Sequence, residues 1–195
     1  MTRIAQKLLA LKGIHWLATR FGGSKLSGMS FDEKFRRKDW DFTGESPDLV
    51  ELVEKHSSKG HLLLMGCGTA PIVSALNPDS YDSLLGVDLS TEAVSIASQR
   101  ANERIRFEVG DMNRHRFSRD YNVILFSESL YYVHWFKRKK LLGRMQQHLA
   151  PGGRIIVTIA DPKRYSNILS MVRRNFTVDV DRPIRSSERH VLVFS

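Results

Sequence analysis

The stretch Leu62-Leu63-Leu64-Met65-Gly66-Cys67-Gly68-Thr69-Ala70-Pro71 decides how the rest of the chain is read. An unbroken apolar run enters two glycines spaced one residue apart. Short apolar runs without alternation suit a strand buried on both faces. Glycines directly after a strand permit a tight turn and close approach of backbone to a ligand. Alone, this Gly-x-Gly is weak; it suits a nicotinamide dinucleotide as well as other nucleosides.

Toward the C-terminus, strands and helices alternate. His61–Met65 reads as a strand, Pro71–Leu76 as a short helix and Ser83–Val87 as a second strand. Thr91–Asn102 reads as a helix capped by Ser90, with Val94 and Ala97 on one face. Ile105–Val109 and Asn122–Phe126 are strands. Lys137–Leu149 is a helix with Leu141, Leu142, Met145 and Leu149 facing inward. Pro151-Gly152-Gly153 turns into the strand Arg154–Ala160. Pro162–Arg174 reads as a helix, and Phe176–Val180 and His190–Phe194 as two last strands. This alternation predicts a single α/β domain with a doubly wound, mostly parallel sheet. The last two strands leave no length for a helix between them, so they pair antiparallel.

Toward the N-terminus, Pro47 starts a helix through about His56, with Ser46 as cap. Phe31 to Gly44 mixes aromatic and charged residues. Met1 to Phe31 holds no Asp or Glu, and Ile4, Leu8, Leu11 and Trp16 fall near helical spacing with Lys7, Lys12 and Arg20 between them. The expectation is a basic amphipathic helix ending near Gly22-Gly23 and packing over the mouth of a site. Lesser readings are a membrane-surface helix or a transit segment. Residues 1–45 are thus a basic helical cap and 46–195 the α/β domain.

Bulk properties narrow the field. The chain has 195 residues, a natural size for one core. No apolar run approaches the roughly 20 residues needed to span a bilayer. Cys67 is the single cysteine, so one chain can form neither a disulfide nor a cysteine metal site, and no metal is expected. That usage fits a reducing, cytoplasmic setting. The net charge of +9 raises nucleic acid as a partner. The basic residues are spread widely, however, and a soluble basic enzyme is favoured. Nothing fixes the oligomeric state.

Ligands of open α/β sheets bind beyond the carboxyl ends of the strands. The loops expected there carry the chemistry. Asp88, in Gly86-Val87-Asp88-Leu89-Ser90, lies about 20 residues after the glycines, where an acid accepts from ribose hydroxyls. In Gly110-Asp111-Met112, Asp111 can accept from an adenine amine while Met112 lies against the ring. Ser127-Glu128-Ser129-Leu130-Tyr131-Tyr132 follows the fourth strand, and Leu149-Ala150-Pro151-Gly152-Gly153 precedes the fifth.

Taken in order, LLLMGCGTAP, LLGVDLS, FEVGDM, YNVILFSESLYYV and LAPGGRIIV resemble the successive motifs of class I (Rossmann-like) S-adenosylmethionine-dependent methyltransferases. The resemblance covers roughly residues 61–160. It implies a seven-stranded sheet in the order 3-2-1-4-5-7-6 with strand seven antiparallel, and S-adenosylmethionine as cofactor. It assigns Gly66, Cys67 and Gly68 to the loop beside the methionine part, Asp88 and Leu89 to the ribose, Asp111 and Met112 to the adenine, and Ser127 to the methionine amine through its backbone. Two positions depart from the family pattern. Leu64 stands where an acid is usual, which would weaken cofactor binding. Ala70 replaces a third glycine and fits if its φ stays negative. Phe31–Phe42 and SESLYYV resemble more loosely the nodulation-type N-methyltransferases, in which a segment like Trp40-Asp41-Phe42 precedes the core.

Methyl transfer from a sulfonium is an in-line displacement that needs alignment and exclusion of water. An amine acceptor must arrive unprotonated. Glu128, Tyr131, Tyr132 and His134 follow strand four, where the acceptor is expected. Glu128 would hold an amine or take its proton, either tyrosine would stack on the acceptor or orient it, and His134 is a second candidate base. Trp40 is a candidate to close the site. Lys137-Arg138-Lys139-Lys140 would meet a phosphate or carboxylate of the substrate, or form a solvated first turn. No Asn-Pro-Pro-Tyr-like stretch follows strand four, so a small-molecule acceptor, methylated on N or O, is favoured over RNA, DNA or protein. The alternatives are a cofactor-binding relative without catalysis, an RNA methyltransferase and a nicotinamide-dependent oxidoreductase.

Overall fold

The computed structural model describes residues 23–37, 45–185 and 187–195. The expected helix around Ile4–Arg20 and the Trp40-Asp41-Phe42 segment lie outside the described residues.

Seven strands form one sheet: β1 (His61–Met65), β2 (Ser83–Asp88), β3 (Ile105–Val109), β4 (Tyr121–Ser127), β5 (Leu149–Ile159), β6 (Val178–Pro183) and β7 (His190–Phe194). Their order is β3-β2-β1-β4-β5-β7-β6. The first five pair in parallel, and β7 runs antiparallel to both β5 and β6. This is the expected sheet. The apolar run of β1 is buried from Leu62 to Met65 because the strand lies in the middle, with both faces covered.

Five described helices flank the sheet: α1 (Gly23–Arg36), α2 (Pro47–Ser57), α3 (Thr91–Ala97), α4 (Trp135–Gln146) and α5 (Ser166–Asn175). Alternate residues of each strand feed separate cores. Leu62, Leu64, Val123, Leu125 and Ile156 pack with Leu49, Leu52 and Val53 of α2 and Ala97 of α3. Leu63, Met65, Ile124, Phe126 and Val157 pack with Leu141, Leu142 and Met145 of α4 and with Ile168, Leu169 and Val172 of α5. The period of two along a strand thus sorts one sequence into two cores.

Several boundaries differ from the sequence reading. Residues 71–74 form only a 3-10 turn. Helix α3 ends at Ala97 and gives way to a 3-10 turn through Arg100, where the Ser98 hydroxyl donates to the Val94 carbonyl. Helix α4 begins at Trp135, and Leu149 belongs to β5, paired with Tyr121. Ser46 precedes α2 in extended conformation, but its hydroxyl makes no capping bond. The turn at Gly23, expected to end a helix, begins one: α1 runs to Arg36. Its acidic Asp32 does the work of a helix cap at a distance, accepting from Ser90 Oγ at 2.6 Å, Thr91 Oγ1 at 3.1 Å and the Glu92 amide at 3.1 Å. Those groups open α3, so α1 is fastened to the loop that follows β2.

Candidate functional site

A crevice of about 890 Å3 opens beyond the carboxyl ends of the parallel strands. Gly66, Cys67, Gly68, Asp88, Leu89, Asp111, Met112, Ser127, Glu128, Tyr131, Tyr132 and His134 all line it. Its walls draw on residues as far apart in sequence as Glu45 and Arg189, and Ser27, Phe31 and Phe35 of α1 line it too.

The end of the crevice beside β2 is built from backbone. Gly66 and Gly68 take positive φ values of 70° and 55°. A Cβ on Gly66 would lie 2.5 Å from Ser129 Cβ and 3.2 Å from Met112 Cε, so only glycine leaves the turn open. The Gly66 amide donates to the Val87 carbonyl, tying the turn to β2. Asp88 Oδ2 accepts from the Gly68 amide at 2.8 Å, and Oδ1 from the Ser90 amide at 2.9 Å. Burial raises the Asp88 pKa, and these amides pull it back down. The Leu89 amide acts on the same carboxyl in the same sense, so three backbone donors face it. Cys67 lies beside this carboxyl, and burial pushes its thiol well above the ordinary range, so it is a wall and not a nucleophile.

Asp111 shapes its own loop. Its Oδ1 accepts from the Asn113 amide at 2.8 Å and from Asn113 Nδ2 at 2.9 Å. Arg144 of α4 secures the same loop, with Nη1 donating to the Asn113 carbonyl at 2.9 Å and Nη2 to that of Met112. The sequence reading missed Arg144; its spacing on α4 marked it as ordinary surface charge.

The far end is assembled from side chains. Glu128 has a φ of 51°, a conformation that strains a residue with a Cβ. Its Oε2 accepts from the Ala160 amide at 2.6 Å, while Oε1 is buried without a hydrogen-bond partner. Burial raises the Glu128 pKa, with Glu45 adding to the effect and Thr158, Ala160 and Arg189 opposing it. Tyr131 stacks on Tyr165 at 4.6 Å and meets Tyr132 at 4.7 Å. Its hydroxyl shares a hydrogen bond with that of Tyr132, whose pKa burial pushes up to about 12; burial raises that of Tyr131 further still. Phe31 of α1 stands edge-on to Tyr132 at 5.3 Å. Helix α1 therefore spans the crevice, held by Asp32 at one side and Phe31 at the other.

Two expectations need correction, those for Ala70 and for the basic run, while the departure at Leu64 stands. Ala70 has a φ of 53°, not a negative value, and its methyl is buried. The left-handed backbone that a third glycine would supply is kept despite the Cβ. Leu64 gives the crevice no acid; it is 3% exposed and packs beside Leu125. The basic run does not project as a block. Arg138 is buried, with Nε donating to the Val133 carbonyl and Nη2 to that of Tyr131, both at 2.9 Å, bracing the loop after β4. His134 precedes α4 and stacks near Phe136 at 4.2 Å. Two residues of the far end were not foreseen. Glu45, only 6% exposed, pairs with Arg189, and both line the crevice.

The cradle suits a sulfonium nucleoside. Gly66 admits no side chain, and the Asp88 carboxyl closes β2 beside the turn, bonded to the Gly68 amide. Comparison with known proteins agrees. Residues 62–153 match a family described as a methyltransferase domain. The dTDP-3-amino-3,6-dideoxy-alpha-D-glucopyranose N,N-dimethyltransferase of Streptomyces fradiae is 28% identical over 130 residues, 65% of this chain. The chain spans about half the length of that curated relative. The N-methyltransferase NodS of Bradyrhizobium japonicum, solved with S-adenosylhomocysteine, superposes with a TM-score of 0.66 at 17% identity, covering 84% of this chain and 96% of NodS. A TehB-like S-adenosylmethionine-dependent methyltransferase of Corynebacterium glutamicum gives 0.65 at 19% identity, covering 89% and 98%. The matched segment is thus similar to a methyltransferase domain, and the superpositions show that the chain has the fold of class I S-adenosylmethionine-dependent methyltransferases.

Proposed function

We propose that this chain methylates an amine nitrogen on a small polar acceptor, of the amino-sugar kind, using S-adenosylmethionine. Glu128 carries the reading. It is a carboxyl raised in pKa by burial, held in a strained backbone, with one oxygen lacking any partner, at the end of β4. Strain of this sort persists where the surroundings over-determine it, commonly at working sites. The names of the Streptomyces fradiae relative and of NodS support nitrogen as the atom methylated.

When bound, the cofactor supplies a methyl group already activated on sulfur. The chain has three tasks. Gly66, Gly68 and Asp88 hold the nucleoside, with Asp88 accepting from ribose hydroxyls. Phe31, Phe35 and Tyr132 narrow the crevice and exclude water. Glu128 keeps the acceptor nitrogen unprotonated by taking its proton at Oε1, and a raised pKa makes that carboxylate a stronger base than a solvated one. Tyr131 and Tyr132 orient the acceptor, and His134 lies within the same wall.

The test offers matched acceptors: an amino sugar nucleotide, its hydroxyl counterpart and a structured RNA. Mass spectrometry should find one or two added methyl groups on the amine compound only. Methyl transfer confined to the hydroxyl compound or to RNA would overturn the proposal.

A further inference from the structure

Helix α4 turns one face to the core and the other to solvent. Arg138, Leu141, Leu142 and Met145 are buried. Helical spacing puts Phe136, Lys139, Lys140 and Gly143 on the opposite side, with Trp135 and Lys137 at its borders. A solvated helix face is ordinarily polar. This one opens with Trp135 at 61% and Phe136 at 59% exposure, the most exposed large apolar side chains among the described residues. Their rings meet edge to face at 5.9 Å, and Lys137 Nζ stands 5.9 Å from the centre of the Phe136 ring. A Cβ on Gly143 would meet nothing within 4 Å, so the face stands clear of the rest of the fold.

The charge around this aromatic pair has one sign. No Asp or Glu occurs between Glu128 and Asp161. Lys137, Lys139 and Lys140 are exposed, and among the described residues none of them joins a salt bridge. Lys137 stands in the first turn, where a cation opposes the helix dipole. An anionic partner relieves that repulsion. The same face of a second copy is equally basic, and the stretch Met1–Phe31 holds no Asp or Glu, so neither offers the missing charge. The outer face of a helix is convex and gives no groove to track a sugar–phosphate backbone. A bilayer interface fits both features, with anionic headgroups for the lysines and a boundary layer that favours Trp and Phe.

We infer that the start of α4 docks on an anionic membrane surface, with Trp135 and Phe136 entering the interface and Lys137, Lys139 and Lys140 meeting headgroups. The contact is peripheral, because α4 keeps its other face on the core. Phe136 and Lys137 also line the crevice, so docking sets the rim of the crevice at the headgroup layer. The inference stands apart from the methyl-transfer reading.

Sedimentation of the full chain with vesicles tests it, using phosphatidylcholine alone and an equal mixture with phosphatidylglycerol. The mixed vesicles should pellet the wild type, and phosphatidylcholine alone should not. Lys139→Glu with Lys140→Glu should weaken binding at least tenfold, at roughly fivefold for each lost lysine. Trp135→Ser should weaken it roughly tenfold at low and at raised salt, since that contact is apolar. Circular dichroism should show both variants folded, as these side chains are exposed. A basic protein adheres to any anionic surface, so a control makes the same charge change at the opposite edge of the sheet. Lys55→Glu with Lys59→Glu, just before β1, should bind within about threefold of wild type. Failure of the wild type to bind the mixed vesicles would overturn the inference, as would wild-type binding by Trp135→Ser or equal losses in the two double variants. Capture of a structured RNA without capture of vesicles would also overturn it.

Discussion

The two ends of the crevice are made differently. At the end proposed to hold the nucleoside, Asp88 and the Gly66–Gly68 turn are joined by backbone amides within one β-turn-β stretch. At the end proposed for the acceptor, Glu45, Ser127, Glu128, Thr158 and Arg189 meet through side chains that the sequence separates by up to 144 positions. A backbone-built end changes little when surface side chains change, and it can hold the same cofactor in many proteins. A side-chain-built end can be rebuilt residue by residue for a new acceptor. Binding of cofactor and choice of acceptor should therefore respond to different substitutions.

The largest effect is expected from Asp88→Ala. Losing two charge-assisted bonds to ribose, each of about 1.5–3 kcal/mol, should weaken S-adenosylhomocysteine at least a hundredfold. Circular dichroism should show the fold retained, since the Asp88 side chain supports no core residue. Retained affinity would break the comparison at its nucleoside end. Next comes Glu128→Gln, which should lower kcat by about a hundredfold, as for loss of a general base, while cofactor affinity stays within about twofold. Unchanged turnover would remove Glu128 from the chemistry.

A pH profile sharpens the same contrast. Burial raises the Glu128 pKa, so the folded protein binds this proton more tightly than the unfolded chain. The ionised form costs stability, and that cost is relieved as pH falls through the raised value. Turnover needs the ionised form, so kcat should decline on acidification at pH values where a solvated glutamate, with a pKa near 4.5, is still charged. Glu128→Gln should abolish this acid limb and leave its low residual rate flat. A wild-type rate flat down to the ordinary carboxylate range would contradict the assignment.

The smallest effect is expected from Ala70→Gly. Relief of left-handed backbone, about 1–2 kcal/mol, opposes the loss of a buried methyl, about 0.8 kcal/mol, and the added chain entropy of glycine, about 0.5–1 kcal/mol. Urea titration should place the variant within about 1 kcal/mol of wild type, with cofactor affinity unchanged. A large change of either quantity would show that the turn depends on the methyl.

The same division decides what could be read from the sequence. The glycine-turn end of the crevice was legible because its parts are close in sequence: a strand, two glycines and an acid one strand later. The sheet order followed from the motif order. Glu45 and Arg189 were illegible because neither belongs to a pattern; only the fold makes them neighbours. Helix α1 was missed because two glycines and several polar residues dilute its apolar spacing, and its stability comes from Asp32 on α3 and Phe31 on Tyr132. Arg138 looked like one charge in a run, yet helical geometry turns it inward, away from its lysine neighbours. Ala70 was misjudged because its neighbours fix the turn, and the cost of its Cβ is not enough to change it.

A crystal structure with S-adenosylhomocysteine tests the central claim most directly. The account predicts the ribose on Asp88, the adenine along Asp111 and Met112, and the sulfur turned toward Glu128 at the end of β4. A ligand lying away from Asp88, or with its sulfur on the side of the crevice remote from Glu128, would contradict it.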